Sequence, residues 1–402
     1  MDAVVTLSHP TPGSSPATSP GSRAAVIAAG LCTFIVAHPT QALLPHFRRL
    51  YHATELQVSL TVSVTMLAVA VSGPIWGVIA ETMGRKRVIV PAMFGLVLPT
   101  LMAATSTSLP VLIFWRFAQG LFIPGIATVM MAYINEEWPA GEVGSAMGFY
   151  VSGTVLGGFL GRFIAGVVTA HVDWQWAFVI LGFLTFMGAV VVRRWLPPSR
   201  NFVRSQSAAA TLRSAAHHLG NARLVATFAM GFTMLFVLHG TFTYVNFYLA
   251  EPPFGLDSAQ LGSVFMVYLL GLVMTPLGGR YMDRHGFRKT VVLAVLLSLA
   301  GLALTLKLSL AIVVGGLALL SSAIFVLQAV ATTNLGRVAG QAHSSAAGMY
   351  ITCYYVGGSL GPVLPAYFWV RGGWPATVAL LAATVSLTVV LGFVASRKHS
   401  SA

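Results

Sequence analysis

Two stretches that lie half a chain apart carry nearly the same pattern of residues, and this duplication limits what the chain can fold into. The first, from Gly77 to Arg87, reads Gly-Val-Ile-Ala-Glu-Thr-Met-Gly-Arg-Lys-Arg. The second, from Gly279 to Lys289, reads Gly-Arg-Tyr-Met-Asp-Arg-His-Gly-Phe-Arg-Lys. In both, a glycine is followed by an acid and then by a second glycine and a basic cluster.

Further matches follow in the same register. They pair Ser145–Tyr150 with Ser345–Tyr350, Gly157–Gly161 with Gly357–Gly361, and Trp174 with Trp374. A sequence that repeats itself in register predicts two structurally similar halves. In a hydrophobic chain, such a duplication is typical of transporters that are built from two repeats.

The composition places the chain in a lipid bilayer. It is 56% hydrophobic and 8% charged, with a mean hydropathy of +0.81, whereas soluble domains carry about 25% charged residues. A hydrocarbon core of about 30 Å requires about 20 apolar residues per helix. The segments that meet this requirement are 24–44, 57–80, 88–106, 109–134, 146–168, 175–192, 224–249, 261–279, 291–306, 310–332, 346–368 and 375–396. We therefore predict an all-α integral membrane protein with twelve transmembrane helices in two pseudo-symmetric six-helix bundles.

Breaks in this hydrophobic pattern divide the chain. The predicted parts are a disordered cytoplasmic tail at 1–22, an N-terminal bundle at 23–192, a cytoplasmic linker at 193–223, a C-terminal bundle at 224–396 and a short cytoplasmic tail at 397–402. The first tail is rich in Pro, Ser and Thr and lacks the features of a cleaved secretory signal. Within the linker, Ala208–Leu219 is expected to form a short amphipathic helix on the membrane surface.

The Lys and Arg residues predict the orientation. Most of the 23 lie in loops on the side that carries both termini. Because short cytoplasmic loops are enriched in Lys and Arg, we expect both termini in the cytoplasm of a multi-pass plasma membrane protein, in bacteria the inner membrane. The net charge of +13 then favours contact with anionic lipid and does not indicate a nucleic-acid partner.

The duplicated loops predict a gate between the halves. The residues assigned to it are Gly77, Glu81, Gly84 and Arg85 in the first half and Gly279, Asp283, Arg284, Gly286 and Arg288 in the second. The first glycine is expected to let a helix end approach its neighbour, and the second to allow a tight reversal. The acid is expected to pair with a basic group or cap a helix on the other half, which favours the outward-open state. In the alternative, the basic residues only set topology and the glycines only turn the chain.

Two arginines fall inside predicted spans. A charge at bilayer depth costs roughly 2.5–3.5 kcal/mol on insertion scales, so Arg116 and Arg162 are expected to face the bundle interior or a wet pathway. Gln119 lies one helical turn from Arg116 on the same face. We expect Arg116 in the central cavity, where it responds to proton entry or anchors a substrate oxygen. In the alternative, each arginine satisfies backbone carbonyl groups at a helix break.

The middle of every predicted span lacks a carboxylate. Exporters of cationic compounds commonly use such an acid, so the chain favours a neutral or anionic substrate. His38 and His239 occupy similar positions in the first and seventh spans and are candidate proton carriers, since imidazole titrates near neutral pH. The alternative for each is a neutral, packed residue. Other polar groups expected in the pathway are Gln41, Tyr244, Asn246, Tyr268 and Gln328.

The sequence resembles the major facilitator superfamily over everything except the tail and the linker, and the duplicated loops carry this resemblance. Leu112–Gly120 resembles the fourth-helix arginine motif of proton-coupled members, and Gly153, Gly157 and Gly161 resemble the fifth-helix motif of antiporters. Tyr354–Gly361 resembles the eleventh helix of the YnfM-like branch of efflux proteins. The sequence departs from the family patterns at Thr82, where the loop usually has Arg, and at Gly158 and Arg162, where antiporters favour Pro.

The resemblance implies a secondary active transporter that works by alternating access around a midplane site. The implied function is proton-coupled efflux of a small organic compound, drug-like or a metabolite, by a functional monomer. The alternatives are a proton-coupled uptake symporter for a small organic anion and, from another class, a receptor or channel. Motifs of a membrane-embedded enzyme or a nucleotide-driven pump are lacking. Cys32 and Cys353 fall in separate spans, so we expect no disulfide, metal or cofactor besides a proton gradient.

Overall fold

A computed structural model describes residues 19–201, 218–339 and 343–397, and these ranges are helical throughout, apart from turns. The helices of the N-terminal half are α1 (Pro20–Ala37), α2 (Thr40–Leu50), α3 (Glu55–Met83), α4 (Arg85–Ala103), α5 (Leu109–Glu137), α6 (Val143–His171) and α7 (Trp174–Trp195). Those of the C-terminal half are α8 (Ala222–Ala250), α9 (Ser258–Val264), α10 (Gly271–His285), α11 (Phe287–Leu304), α12 (Leu310–Ala339), α13 (His343–Leu360) and α14 (Pro365–Ala395). A 3₁₀ segment, Phe265–Leu270, joins α9 to α10.

These helices account for the predicted spans. In the described ranges, 11 segments are long and apolar enough to cross a membrane, and α1 with α2 forms the first of them. α13 and the first residues of α14 supply one more, because Gly372 and Gly373 have non-helical backbone angles that divide α14 between two spans. The all-α fold of twelve transmembrane helices in two six-helix bundles is therefore confirmed.

Glycines reverse the chain between α3 and α4 and between α10 and α11. Gly84 has a φ of 87° and Gly286 a φ of 85°, in the left-handed region that other residues rarely adopt. At the other end of α3, Thr54 and Gln57 form a capping box, which satisfies amide groups at the helix start. Both duplicated loops thus contain the tight reversal that the sequence predicts.

Small residues of α6 and α13 bring helix backbones into contact. A Cβ on Gly157 would overlap the carbonyl oxygen of Leu31 in α1, and a Cβ on Gly357 would overlap that of Phe232 in α8. Leu31 and Phe232 lie at matching positions of the two halves, so the duplicated glycines make the same contact twice. Only small residues permit backbones to approach this closely.

The two halves meet at one end of the molecule and separate at the other. We call the end at which α1 begins and α14 finishes the terminal end, and the other the opposite end. Near the opposite end, Gly166 of α6 packs against the carbonyl oxygen of Ser258 in α9. Near the terminal end, a Cβ on Gly148 of α6 or Gly348 of α13 would meet no atom within 4 Å. In the described ranges, the polar contacts that join the halves, such as that of Ser63 with Ser359, also lie toward the opposite end. The structure is therefore closed at the opposite end and open at the terminal end.

The expected close approach at the first glycine of each duplicated loop is absent. A Cβ on Gly77 or Gly279 would meet no atom within 4 Å. Both glycines lie near the terminal end, where the halves are apart. The expectation is therefore wrong for this conformation, and the reason is that no neighbouring helix of the other half lies close enough.

The boundaries between the parts of the chain differ slightly from the predicted ones. α1 begins at Pro20, inside the predicted tail, because proline is well suited to a first helical turn. α7 continues to Trp195 and α8 begins at Ala222, where the Asn221 side chain caps it. Residues 196–221 therefore lie between these two helices. The expected amphipathic helix at 208–219 lies largely outside the described residues.

Replacing Gly157 by Ala is expected to destabilise the protein by about 1–3 kcal/mol, because the added Cβ must push α6 away from the α1 backbone. Gly148→Ala on the same helix is the matched control, since nothing lies within 4 Å of that Cβ position. Thermal unfolding of the purified protein in detergent, followed by tryptophan fluorescence, measures both variants. Equal melting temperatures would contradict the backbone contact.

Candidate functional site

A break in the first span creates a polar site inside the N-terminal half. α1 ends at Ala37, His38 has non-helical backbone angles, and α2 begins after Pro39. Proline has no amide hydrogen and cannot continue the helical hydrogen bonds. The last carbonyl groups of α1 therefore need donors from elsewhere in the chain.

Arg116, on α5, supplies these donors. Its guanidinium donates to the carbonyl oxygens of Val36 at 2.7 Å and Ala37 at 2.5 Å, and its Nε donates to that of Thr61 at 3.1 Å. The side-chain oxygen of Gln119 accepts a further bond. Arg116 has no exposed surface. In this conformation it contacts the backbone at a helix break, as in the alternative that the sequence left open, and it does not face an open cavity.

Arg162, on α6, lies where the two halves meet. Its Nε and Nη2 donate to the side-chain oxygen of Gln41 at 2.9 and 2.7 Å. Its guanidinium carbon also lies 4.5 and 5.0 Å from the ring centroids of Phe265 and Tyr268 in the C-terminal half. Arg162 is 2% exposed, and a cation near aromatic rings is attracted more strongly where water is excluded. Arg162 therefore helps to hold the halves together.

Gln41, at the start of α2, links the halves by hydrogen bonds. Its side-chain nitrogen donates to Thr243 Oγ1 at 3.4 Å, and its main-chain oxygen accepts a 2.8 Å bond from the Asn246 side chain. Both partners lie on α8. Gln41 thus connects Arg162 of one half with α8 of the other.

His38 and His239 contact each other across the same interface. Their ring centroids are 5.2 Å apart and the rings are nearly perpendicular, at 88°. Nδ1 of His239 lies 3.1 Å from the carbonyl oxygen of Gly358. Nδ1 of His38 has no hydrogen-bonding partner among the described residues. The structure therefore brings together the two histidines that the sequence places half a chain apart.

The remaining predicted pathway residues lie in the C-terminal half. Tyr268 lies beside the guanidinium described above, and its hydroxyl has no hydrogen-bonding partner in the described ranges. Tyr244 donates instead to the carbonyl oxygen of Pro362 at 3.0 Å, where α13 gives way to α14. Gln328, on α12, accepts a 3.1 Å bond from Tyr354. Tyr244 thus supports a helix break within its own half.

A pair of serines that the sequence did not single out also joins the halves. Ser63 of α3 donates to the carbonyl oxygen of Ser359 in α13 at 2.6 Å, and the two hydroxyls are 3.1 Å apart. Serine carries no charge, and these two serines follow no spacing pattern in their helices, so the sequence gives no signal that distinguishes them from other serines. Phe265 was missed too, although it shares a helical face with Tyr268 three residues later.

An ion pair at the opposite end adds an outer layer to this closure. Arg48, at the end of α2, lies 3.3 Å from Glu55 of its own half and 3.2 Å from Glu251 of the other. The Glu251 side chain is 59% exposed, and exposed pairs contribute about 0–1 kcal/mol. The buried contacts of Gln41, Ser63 and Arg162 therefore carry most of the closure.

The duplicated loops pair within their own halves. Arg85 makes a two-fold ion pair with Glu136 at the end of α5, with distances of 2.7 and 3.0 Å. Asp283 lies 4.0 Å from Arg337 at the end of α12. Among the described residues, neither Asp283 nor Glu81 pairs with the other half. The expected pairing between halves is therefore not made while the terminal end is open.

In the part of the chain that the structure describes, the two buried arginines have no acidic partner. Among the described residues, no Asp or Glu oxygen lies within 4.0 Å of Arg116 or Arg162. The described acids lie at helix ends or in loops. No metal-binding group of His, Cys, Asp and Glu occurs in the same ranges, and Cys32 and Cys353 are not bonded to each other. The site is therefore positively charged and built from neutral oxygen acceptors.

Two six-helix halves that meet around buried polar groups define a membrane transporter of the two-repeat class. A family model described as Major Facilitator Superfamily matches residues 25–267 and 251–402. The chain is 32% identical over 368 residues to the uncharacterized MFS-type transporter YybF of Bacillus subtilis (strain 168), a match that covers 91% of each chain. The chain therefore belongs to the major facilitator superfamily. It is a secondary transporter of the membrane and not an enzyme.

The chain is also similar to other known proteins. The chain is 29% identical over 369 residues to the inner membrane transport protein YnfM of Escherichia coli (strain K12), covering 92% of this chain and 88% of that one. A shorter match, 30% identical over 132 residues and 33% of each chain, is to the multi-drug resistance efflux pump PmrA of Streptococcus pneumoniae. The fold is similar to that of the nucleoside transporter NupG (D323A mutant), with a TM-score of 0.78, 12% identity and coverage of 93% of this chain and 100% of that one.

A disulfide between Ser63→Cys and Ser359→Cys is expected to form readily in a background that lacks Cys32 and Cys353, because the two hydroxyls are 3.1 Å apart. Gly77→Cys with Gly348→Cys is the matched control. These positions lie on the same two helices about three to four turns toward the terminal end, where no atom lies within 4 Å. Mass spectrometry after mild oxidation measures both pairs. Preferential cross-linking of the control pair would contradict the described closure.

Arg116→Leu is expected to destabilise the protein strongly, because it leaves the carbonyl oxygens of Val36 and Ala37 at the helix break without this donor, at about 1–3 kcal/mol for each unsatisfied group. Arg49→Leu is the control, since that side chain is exposed at the end of α2. The melting temperature of each purified variant is the measurement. An unchanged melting temperature for Arg116→Leu would mean that these bonds do not stabilise the fold.

Proposed function

We propose that the protein exports a small organic compound, neutral or anionic, in exchange for protons. The observation that carries this proposal is the burial of Arg116 and Arg162 without a carboxylate partner in the described ranges. A permanently cationic compound would meet an uncompensated positive charge, and charges interact more strongly in a medium of low dielectric constant than in water. A neutral or anionic compound meets no such barrier.

In this proposal the terminal end faces the cytoplasm. Loops at this end carry most of the Lys and Arg residues, and such residues collect on the cytoplasmic side of membranes. The described conformation then opens toward the cytoplasm, from which an exporter takes its cargo. The bacterial inner membrane is the proposed location, as the name of YnfM supports. One chain contains both halves, so a monomer forms a complete pathway.

Resemblance supports the outward direction of transport. PmrA is described as a multi-drug resistance efflux pump, although it matches only 33% of the chain. Uptake of a small organic anion together with a proton is the second candidate. It is favoured by the same unpaired charge on Arg162, which would suit an anion from either side. The two candidates differ in the sign of the coupled proton movement.

His38 and His239 are the proposed proton carriers. They contact each other across the interface, with 5.2 Å between ring centroids, and imidazole changes its charge near neutral pH. A proton on either ring would add positive charge to an interface that already contains Arg162. Repulsion would then weaken the contact between the halves and favour opening of the opposite end.

In vesicles that contain the purified protein and a pH-sensitive dye, a transported compound is expected to trigger proton movement. The test panel comprises organic anions, sugars and a quaternary ammonium dye. The double variant His38→Ala with His239→Ala is expected to abolish the movement, because it removes both proposed carriers. The sign of the movement across an imposed gradient separates exchange from co-transport.

His171→Ala is the control for this experiment, since His171 is exposed at the end of α6. Proton movement that survives in the double variant would transfer the proposed role to Glu81 or Asp283. Transport without proton movement would contradict coupling. Transport of the quaternary ammonium dye would contradict the argument from charge.

A further inference from the structure

We propose that the guanidinium of Arg162 binds the carboxylate of the transported compound, at a position that the side chain of Gln41 occupies in the structure. The expected compound is an organic acid with one carboxylate and an apolar body. The proposal rests on the proposed function, since it concerns the anionic compounds among the proposed substrates. It adds a binding position and a reason why binding opens the opposite end.

The hydrogen bonds between the two side chains follow the pattern of a bound carboxylate. Nε and Nη2 of Arg162 both donate to Gln41 Oε1, at 2.9 and 2.7 Å. This edge of a guanidinium takes a carboxylate in two parallel hydrogen bonds. The amide offers one neutral oxygen where a carboxylate offers two oxygens and a negative charge. A carboxylate that reaches this edge is therefore expected to displace the amide.

The surroundings of Arg162 suit the rest of such a compound. The rings of Phe265 and Tyr268 lie 4.5 and 5.0 Å from the guanidinium carbon, and the ring of Phe242 lies 4.6 Å from that of Tyr268. Tyr268 is 6% exposed, and its hydroxyl has no partner among the described residues. An unsatisfied buried hydroxyl costs free energy, and a carboxylate oxygen on Arg162 would accept its hydrogen. The site thus combines a cation, a spare donor and apolar rings.

Gln41 connects this position to the closure between the halves. Its amide nitrogen donates to Thr243 Oγ1 at 3.4 Å while Arg162 holds its amide oxygen. A carboxylate on Arg162 removes that hold, so the contact with α8 weakens when the compound binds. A ligand shifts an equilibrium by its different affinity for the two states. Here the closed state requires Gln41 at the position that the ligand takes.

The test uses benzoate as the probe, with benzamide as its neutral counterpart, and isothermal titration of the purified full-length protein. Gln41→Ala is expected to bind benzoate about tenfold more tightly than the wild type, because no amide competes for the charged edge. Gln41→Glu and Arg162→Met are expected to lose benzoate binding. The first supplies its own carboxylate and the second removes the cation. Benzamide is expected to show no gain in Gln41→Ala.

Gln175→Ala is the matched control, since it removes an amide whose oxygen has no partner in the described ranges. Its affinity for benzoate is expected to equal that of the wild type. The melting temperature of each variant shows that it is folded, and Gln41→Glu keeps the size of the native side chain if Gln41→Ala proves unstable. Benzoate binding that Gln41→Ala does not tighten, or that Gln41→Glu retains, would overturn the proposal.

The link to opening has its own measurement. In the cysteine pair at Ser63 and Ser359, made in the background that lacks Cys32 and Cys353, benzoate is expected to slow cross-linking several-fold and to have no effect when Gln41→Glu is added. An unchanged rate in the presence of bound benzoate would overturn the link. Neither measurement involves protons or vesicles. If both succeed while vesicles show no proton exchange, only the proposed function fails.

Discussion

Backbone groups inside a membrane must find their partners within the protein, and this constraint places the polar side chains of the site. The first span breaks at Pro39, and Arg116 donates hydrogen bonds to the carbonyl groups that the break leaves without helical partners. At the break between α13 and α14, the hydroxyl of Tyr244 donates a hydrogen bond to the carbonyl group of Pro362. One break is satisfied by a charge and the other by a neutral hydroxyl. Both buried arginines belong to the N-terminal half, and the aromatic rings that meet Arg162 belong to the C-terminal half.

The two halves share a backbone arrangement, but the signs of the paired charges at their duplicated loops are reversed. Arg85 of the first loop pairs with Glu136 at 2.7 Å, whereas Asp283 of the second pairs with Arg337 at 4.0 Å. Glu136 and Arg337 lie at matching ends of α5 and α12. The side chains of the second pair are 62% and 69% exposed, and exposed pairs are weak. The pair of the first loop is therefore held more firmly than the pair of the second.

Hydropathy and the glycine pattern were sufficient to predict the spans and the two bundles, because both are local properties of the sequence. The matching positions of His38 and His239 in the two halves indicated that these residues are related, and the structure brings them into contact. The partners of Arg162 could not be predicted, because Gln41 and Phe265 lie in other spans and no spacing relates them. A buried charge such as Arg116 indicates the bundle interior. Whether it faces a cavity or a helix break depends on the packing of α1 against α5, which the sequence does not express.

The glycine contacts of α6 with α1 and of α13 with α8 have a consequence for the motion itself. Backbone atoms cannot change rotamer, so each pair of helices must move as one stiff unit and stores little of the energy that separates the two states. That energy is concentrated in the few buried polar contacts between units, those of Gln41, Ser63 and Arg162. A single substitution among them would change the fraction of time that the molecule faces each side of the membrane while leaving its architecture intact. The transport cycle could therefore be retuned without any change to the helices that carry it.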